Sequence, residues 1–569
     1  MNHSSKFKLS KAHLLYVLAV LLFAVYVAPS VSYHLPNYRS KLAEEYQPLQ
    51  ALKFFSTKGH AFHKYGPMEN YILAVPYGVT LGYWRLTGQL AEFSPKYPFG
   101  MSDPLRQFGT LHFEGRILFL LLSVIFFYFF CVCLERITNS TLIVAIAFIV
   151  CLVTNVPLLT VAAAPAPDSP MNFFGAAALG IYVTVVFGEL TPIRAICLSL
   201  FAVLAITAKE LAGPMFVLPY LGIIWNEWRV SNRRKFYKSV FLLLGTGIVA
   251  YACLNIVYAP STWLARMHYW LLGPGIDPAV WGNSSLLERI QGIASCMLDN
   301  LGPGGTAIGL VALVYFYIRR PAHWLRLSLP AWSLFGLGLM RMGYQEDRFF
   351  TLGTLSLIPM IVAGLAAFAH DFRATRTLAA FAGTAVLLLL INVWYASAAW
   401  LFLGQRFDSL FERNIASIAC RGADVWEFST VTVPPASRYN LLGYHFDGRS
   451  AAQIVQSSHE QLPQVAMAPL SFLQWLEDAR ARPARASLID DELDFDISSW
   501  RGMEALGYPQ KLIVVPHFPR WFFFQWMPTV QTFIVRNTVV FYWRPCSVSS
   551  RASLIGEHPA LQRHAALRQ

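Results

Sequence analysis

Residues 43–68, AEEYQPLQALKFFSTKGHAFHKYGPM, hold an adjacent acid pair, Glu44–Glu45, two histidines, His60 and His63, and a Lys64-Tyr65-Gly66-Pro67 turn. Further ionisable residues stand at the ends of apolar runs: Asp168 in APAPDSP, Lys209–Glu210 in ITAKELAG, and Arg341, Glu346, Asp347 and Arg348 in RMGYQEDRFF. A carboxylate can take the proton of an attacking hydroxyl, and lysine or arginine can hold a phosphate. Together these types suit a substrate that carries a phosphate and a second substrate that offers a hydroxyl. His60 and His63, at i and i+3, could bind a metal, but with no third ligand beside them they read as interfacial side chains.

The elements that must position these groups are set by hydropathy. Of the 569 residues 55% are hydrophobic and 14% charged, with a mean hydropathy of +0.44. Soluble chains carry nearer a quarter charged residues. Apolar runs long enough for a ~30 Å hydrocarbon core recur at 12–31, 116–134, 141–162, 172–188, 195–208, 211–226, 239–258, 306–318, 327–340, 350–368 and 378–402. The expected class is therefore a polytopic α-helical membrane protein of about eleven spans. Asn70–Trp84, short and interrupted by Pro76 and Gly78, reads as an interfacial helix.

Loop charge sets the orientation. With Lys6, Lys8 and Lys11 ahead of the first span, the N-terminus is expected inside, as a retained signal anchor. Alternation then puts Arg136, Arg194, the Arg229–Lys238 cluster, Arg319, Arg320, Arg326, Arg373 and Arg376 on the same inner side, as the positive-inside rule requires. Much of the net charge of +13 is thus accounted for by topology, and nucleic acid is not an expected partner. The outer segments are 32–115, 163–171, 209–210, 259–305, 341–349 and everything after about residue 403. Two domains follow: 1–402 in the membrane, including the first outer loop 32–115, and a soluble outer-face domain, 403–569, of α/β or α+β type. In the latter LIVVPHF, TFIVR and TVVFYW read as strands, and AAQIVQSSHEQL and LSFLQWLEDARARPA as helices. Of the eight cysteines, Cys131, Cys133, Cys151, Cys197 and Cys253 sit in or at the ends of apolar runs. Cys296, Cys420 and Cys546 fall in the expected soluble parts, and no CxxC or metal-ligand spacing occurs.

Every chemically interesting group above therefore abuts a span end on the outer face. Ionisable residues at membrane edges line a cavity or pair with one another, because facing lipid is costly. Each also has a plainer reading. Glu44–Glu45 could be a solvated helix turn, Lys64 could snorkel, and Asp168 could cap a helix. Lys209–Glu210 could be an ion pair between two spans, and Arg348 could pair with Asp347 or Glu346.

The order of motifs resembles the type-C glycosyltransferases, specifically the protein mannosyltransferase and aminoarabinose transferase superfamily. The order is an acidic pair after the first span, Lys-Tyr-Gly-Pro, Gly115-Arg116 opening the second span, a lone Asp in the second outer loop, Lys-Glu after the fifth span and an Arg before an apolar helix. It covers residues 12–370 and leaves the C-terminal domain out. In that superfamily the first loop carries Asp-Glu, the Asp being catalytic. The resemblance thus implies Glu44 as the general base with Glu45 orienting it, or the roles exchanged, since glutamate is one methylene longer. It implies Lys64, Arg348 and Lys209 as ligands of the donor phosphate, Asp168 as the acid that arranges the catalytic site, and Tyr65, Arg116 and Glu210 in support. The family's Lys-Tyr-Pro-Pro has lost its first proline here, which is expected to loosen the turn.

The function implied is inverting transfer of a sugar from a polyprenyl-phosphate donor to a hydroxyl of a lipid, glycan or protein at the outer face of the membrane. No cofactor is obligatory, and a divalent metal is compatible with the chemistry. Partners are the lipid-linked donor, the acceptor and membrane lipids. The rival classes are a flippase or transporter, for which an inverted repeat is expected and none is found, and an O-antigen polymerase or ligase, whose chemistry would sit in large late outer loops.

Overall fold

A computed structural model of the chain describes residues 11–31, 47–59, 65–92, 100–138, 140–230, 232–272, 285–338 and 347–372, short pieces between 383 and 392, and five strands beyond residue 423. Glu44, Glu45, Lys64, His60, His63, Arg341, Glu346, Cys420 and Cys546 lie outside the described residues, as do most of 378–402, the TFIVR segment and both helices expected in the C-terminal region.

Fourteen helices are described: α1 Lys11–Val27, α2 Gln47–Ser56, α3 Met68–Leu86, α4 Pro104–Leu134, α5 Thr141–Phe148, α6 Val156–Val161 and α7 Asp168–Val186. They continue with α8 Pro192–Ala208, α9 Gly213–Val230, α10 Arg233–Tyr251, α11 Pro260–Leu272, α12 Leu286–Arg319, α13 Pro321–Ser333 and α14 Thr351–Asp371. Short 3₁₀ turns cover Glu210–Ala212 and Asp347–Phe350, and π turns extend α5 to Val153, α10 to Val257 and α13 to Gly338. Among the described residues five segments are long and apolar enough to cross a membrane: Arg106–Leu134, Asp168–Val186, Arg233–Val257, Leu286–Arg319 and Arg348–Asp371. The chain is thus strongly helical with several membrane-length apolar helices.

Local signals start these helices. Thr191, Asn232 and Ser140 accept from the backbone N–H three residues on, the N-cap arrangement. Ser285 and Glu288 form a reciprocal capping box. That box marks a departure from the apolar-run reading: α12 begins at Leu286, not 306, and so contains Cys296, which is buried. Glu288, Arg289, Asn300 and the Gly302-Pro303 break hide the first half of this helix from a hydropathy scan. At the break Gly302 takes φ +68°, and the buried Asn392 satisfies the freed backbone, accepting from Gly304 N (2.8 Å) and donating to Leu301 O (2.7 Å). The run 141–162 is likewise not one helix but α5, its π turn and the short α6. The segment read as interfacial is a single helix, α3. It buries Glu69, Asn70, Leu73 and Tyr77 and exposes Val75, Val79, Tyr83 and Leu86, an apolar outer stripe suited to a membrane surface.

The chain divides into two compact units, Met1–Val31 with Lys41–Pro95 and Leu111–Trp400, and Ser32–Ser40 with Lys96–Thr110 and Leu401–Gln569. The core of the first is α7, buried almost all round, packed on α8 and α14. Small residues permit this: a Cβ at Gly175 of α7 would lie 2.5 Å from a methyl of Leu352 in α14, and at Gly364 the same helix packs closely on Ala312 of α12. Phe126, Phe173, Phe174 and Phe201 fill the space between α4, α7 and α8. The second unit holds a mixed sheet of β1 Asp424–Phe428, β2 Val465–Ala466, β3 Ala486–Asp490, β4 Lys511–Val514 and β5 Val540–Trp543, in the order β2-β5-β1-β3-β4. β1–β3 and β3–β4 are parallel, β1–β5 and β2–β5 antiparallel. β4 and β5 fall in the LIVVPHF and TVVFYW segments.

Candidate active site

Helix ends bring the polar groups together. Asp168 is the first residue of α7, where an acid is favoured by the helix dipole, and is fully buried. Lys209 follows the last residue of α8 in extended geometry (φ −151°, ψ 122°). This turns its side chain back, and Lys209 Nζ lies 2.8 Å from Asp168 Oδ1. Arg348, in the 3₁₀ turn that precedes α14, brings Nη1 to 3.8 Å from Asp168 Oδ2. Its turn is tied to α7 through Thr351, whose hydroxyl is within hydrogen-bond reach of Asn172 Oδ1 (2.9 Å) and of the Arg348 carbonyl (2.8 Å). One buried carboxylate thus organises two cations, and removing a lone partner from such a set is costly.

Aromatic rings close over the lysine. Lys209 Nζ stands 4.8 Å from the ring centre of Tyr65 and 4.8 Å from that of Phe349, inside the cation–π range. Lys209 is 3% exposed and Arg348 13%, so the arginine is the more open of the two cations.

Glu210 does not pair with Lys209. The 3₁₀ turn after Lys209 swings it the other way, to 2.7 Å from Arg266 Nε of α11. Arg266 Nη2 donates to Asn255 Oδ1 (2.8 Å), and Asn255 Nδ2 donates to Thr207 Oγ1 (2.8 Å). Burial pushes the Glu210 carboxyl up to about 7, against the opposing pull of Arg266. A third acid, Glu69 in the first turn of α3, is 2% exposed. Burial above all, with smaller contributions from the charges of Glu210 and Asp168, pushes it up to about 8, against the opposing pull of its own backbone hydrogen bond and of Arg266.

The Tyr65-Gly66-Pro67 turn is seated against this cluster by its glycine. A Cβ at residue 66 would lie 1.8 Å from the Thr207 carbonyl oxygen. The proline of the family pattern could not occupy this position, so its absence reflects a close backbone approach to the end of α8 rather than a loosened turn. Tyr65 O in turn lies 3.5 Å from Arg266 Nη1.

Of the residues singled out by sequence, Asp168, Lys209, Glu210, Arg348 and Tyr65 share this site. Arg116 is buried and donates to the Val31 carbonyl (3.3 Å), fixing the end of the first helical segment against α4. Glu44, Glu45 and Lys64 lie outside the described residues. Glu69, Arg266 and Asn255 escaped the sequence reading. A glutamate opening an otherwise apolar helix, and one arginine within PSTWLARMHYW, were the available signals. Among the described residues no group of three or more His, Cys, Asp or Glu side chains is placed to hold a metal ion.

No family model matches the chain, and no curated protein does. Solved structures do. ArnT and AglB are similar to it. The crystal structure of ArnT from Cupriavidus metallidurans bound to undecaprenyl phosphate aligns at 12% identity and TM-score 0.44, covering 93% of this chain and 97% of that one. The Archaeoglobus fulgidus oligosaccharyltransferase in complex with Zn and sulfate aligns at 11% identity and TM-score 0.37, covering 87% of this chain and 62% of that one. The same organism's AglB with an inhibitory peptide and a dolichol-phosphate gives 11% and 0.37, over 87% and 64%. Likeness of this degree assigns no residue, and the chemistry has to come from the side chains.

Proposed function

We propose that the protein is an integral membrane glycosyltransferase that moves a sugar from a polyprenyl-phosphate donor to an acceptor hydroxyl with inversion, at the outer face of the membrane. The observation that carries this reading is the buried Asp168–Lys209–Arg348 cluster beside the Glu210–Arg266 pair, built at helix ends. Cations pre-set by carboxylates are suited to an anionic headgroup and to the charge that grows on its oxygen as it leaves. An isoprenoid tail can stay in the bilayer while its phosphate reaches such a site. The motif order of residues 12–370 supports the same class.

In the proposed reaction the acceptor oxygen attacks the anomeric carbon as Glu44, or Glu45, takes its proton. The bond from that carbon to the phosphate oxygen breaks on the opposite side, and the electron pair goes to the phosphate. Arg348 and Lys64 are assigned the charge that develops on the leaving phosphate. Asp168, engaged by two cations, acts by positioning them. Lys209, enclosed by Tyr65 and Phe349, holds the cluster's geometry and contributes its charge to the phosphate.

Replacing the base tests this. Glu44→Gln should lower transfer ~10²-fold or more while leaving binding of the lipid donor intact. Normal turnover in both Glu44→Gln and Glu45→Gln would overturn the assignment, and loss confined to the second would move the role one residue along.

A further inference from the structure

Away from the candidate active site, positive charge gathers at the turn between α9 and α10. Residues 229–238, RVSNRRKFYK, hold five basic residues and no acid, and all five basic residues are exposed. Lys235 Nζ lies 3.1 Å from Glu189 Oε2, and the Arg229 guanidinium stands 4.4 Å from the ring centre of Trp225. The side chains of Arg233, Arg234 and Lys238 have no acid partner among the described residues. Glu227, the nearest acid along the chain, is buried.

These charges adjoin a bare helix. Of the five membrane-length segments Arg233–Val257 is the least buried, with 11% of its apolar window inside the protein. It packs on α8 along one side, where Ser199 Oγ donates to the Leu243 carbonyl. On the opposite side Arg234, Tyr237, Phe241, Leu244 and Ile248 are exposed, and helical spacing puts them on one face with Lys238 at its edge. A cation thus heads an apolar stripe, the order in which a phospholipid presents its headgroup and its chains. Trp225 and Trp228 of α9 are exposed beside the turn, and indole rings favour the headgroup level.

We propose that the α9–α10 turn binds an anionic glycerophospholipid of the surrounding leaflet, its phosphate held by Arg233, Arg234 and Lys238 and a chain lying along Tyr237, Phe241 and Ile248. The site shares no residue with the donor site, and its ligand is a lipid of the bilayer itself. Guanidinium groups match phosphate oxygens in pairs, and basic clusters at the end of a membrane helix attract anionic headgroups. A choline headgroup carries its own cation beside the phosphate, which these side chains repel. A glycerol headgroup carries none, so the site discriminates by charge. Basic residues that served only to orient the chain would show no such preference.

The probes are dioleoyl phosphatidylglycerol and dioleoyl phosphatidylcholine, offered in equal amounts to the full-length protein in detergent, with bound lipid counted by native mass spectrometry. Each basic residue near an anionic lipid contributes about a fivefold factor, so wild type should retain phosphatidylglycerol with a preference of roughly tenfold or more. Arg233→Gln, Arg234→Gln and Lys238→Gln made together should bring retention of the two lipids near parity. A second reading needs no variant: raising ammonium acetate from about 0.1 M to about 1 M shortens the screening length from ~10 Å to ~3 Å, and the wild-type preference should fall with it. Excess glycerol 3-phosphate should leave the lipid bound, because the apolar stripe holds its chain. Equal retention of the two lipids by wild type would overturn the proposal, as would a triple variant that keeps the wild-type preference. Displacement by glycerol 3-phosphate would make this a site for soluble anions and overturn the lipid assignment.

Discussion

At the scale of single residues, Asp168 is the group on which the site depends. Its two oxygens face Lys209 and Arg348 with no exposure to water, so Asp168→Asn leaves the buried Lys209 without the counter-charge at 2.8 Å and takes one acid away from Arg348. Breaking a buried pair on one side costs roughly 3–5 kcal/mol, and a loss of that order is expected in the thermal unfolding of the detergent-solubilised protein. Lys209→Met made in the same chain should restore part of the loss, because it removes the stranded charge; a double variant as unstable as the sum of the two single ones would contradict the pairing. Asp168, Lys209 and Arg348 could be singled out from sequence because each interrupts an apolar run. Their partners could not. The plainer reading of Lys209–Glu210, one ion pair between spans, does not hold, because the turn between them sends each to a different element. Glu69 and Arg266 were missed for a different reason: one opens a helix read from its apolar run and the other lies in the outer segment 259–305, and only the fold brings Arg266 to Glu210 and Glu69 beside them.

At the scale of elements, the site depends on helix ends and on one close backbone contact. The Tyr65–Pro67 turn packs against the last turn of α8 because residue 66 has no side chain. Gly66→Ala would drive a methyl to 1.8 Å from a carbonyl oxygen, displacing Tyr65 from above Lys209. Overpacking of this kind typically costs ~1–3 kcal/mol, seen as a lowered unfolding temperature together with weakened donor binding. An alanine variant with wild-type stability and affinity would show that the turn is not seated there. Most helices coincide with apolar runs, since run length is what a hydrocarbon core selects. The misses have physical causes. α12 carries a capping box, an Asn and a Gly-Pro break through a buried stretch, and 141–162 is divided by a π turn and Asn155, which caps α6. In both, hydropathy averaged over a window smooths out a local backbone feature.

At the scale of the whole molecule, the account requires that the groups at the ends of α7 and α8 and at the start of α14 share the outer face with the first loop. The basic loops on the opposite side are the sequence's argument for that orientation. A cysteine introduced near Ser56 should be modified by an impermeant reagent added outside, and one near Ser231 should not; labelling at 231 from outside would reverse the assignment. The central claim is bond-breaking transfer rather than transport of a lipid-linked sugar. The most direct measurement is made on the purified chain reconstituted in vesicles with a polyprenyl-phosphate sugar labelled in the sugar, following the label and the lipid together in the presence of acceptor. The account predicts that polyprenyl phosphate is released in step with labelled acceptor, that the new glycosidic bond has the inverted configuration, and that Glu44→Gln abolishes both. Donor that crosses the bilayer with its sugar still attached, with no polyprenyl phosphate released, would contradict it.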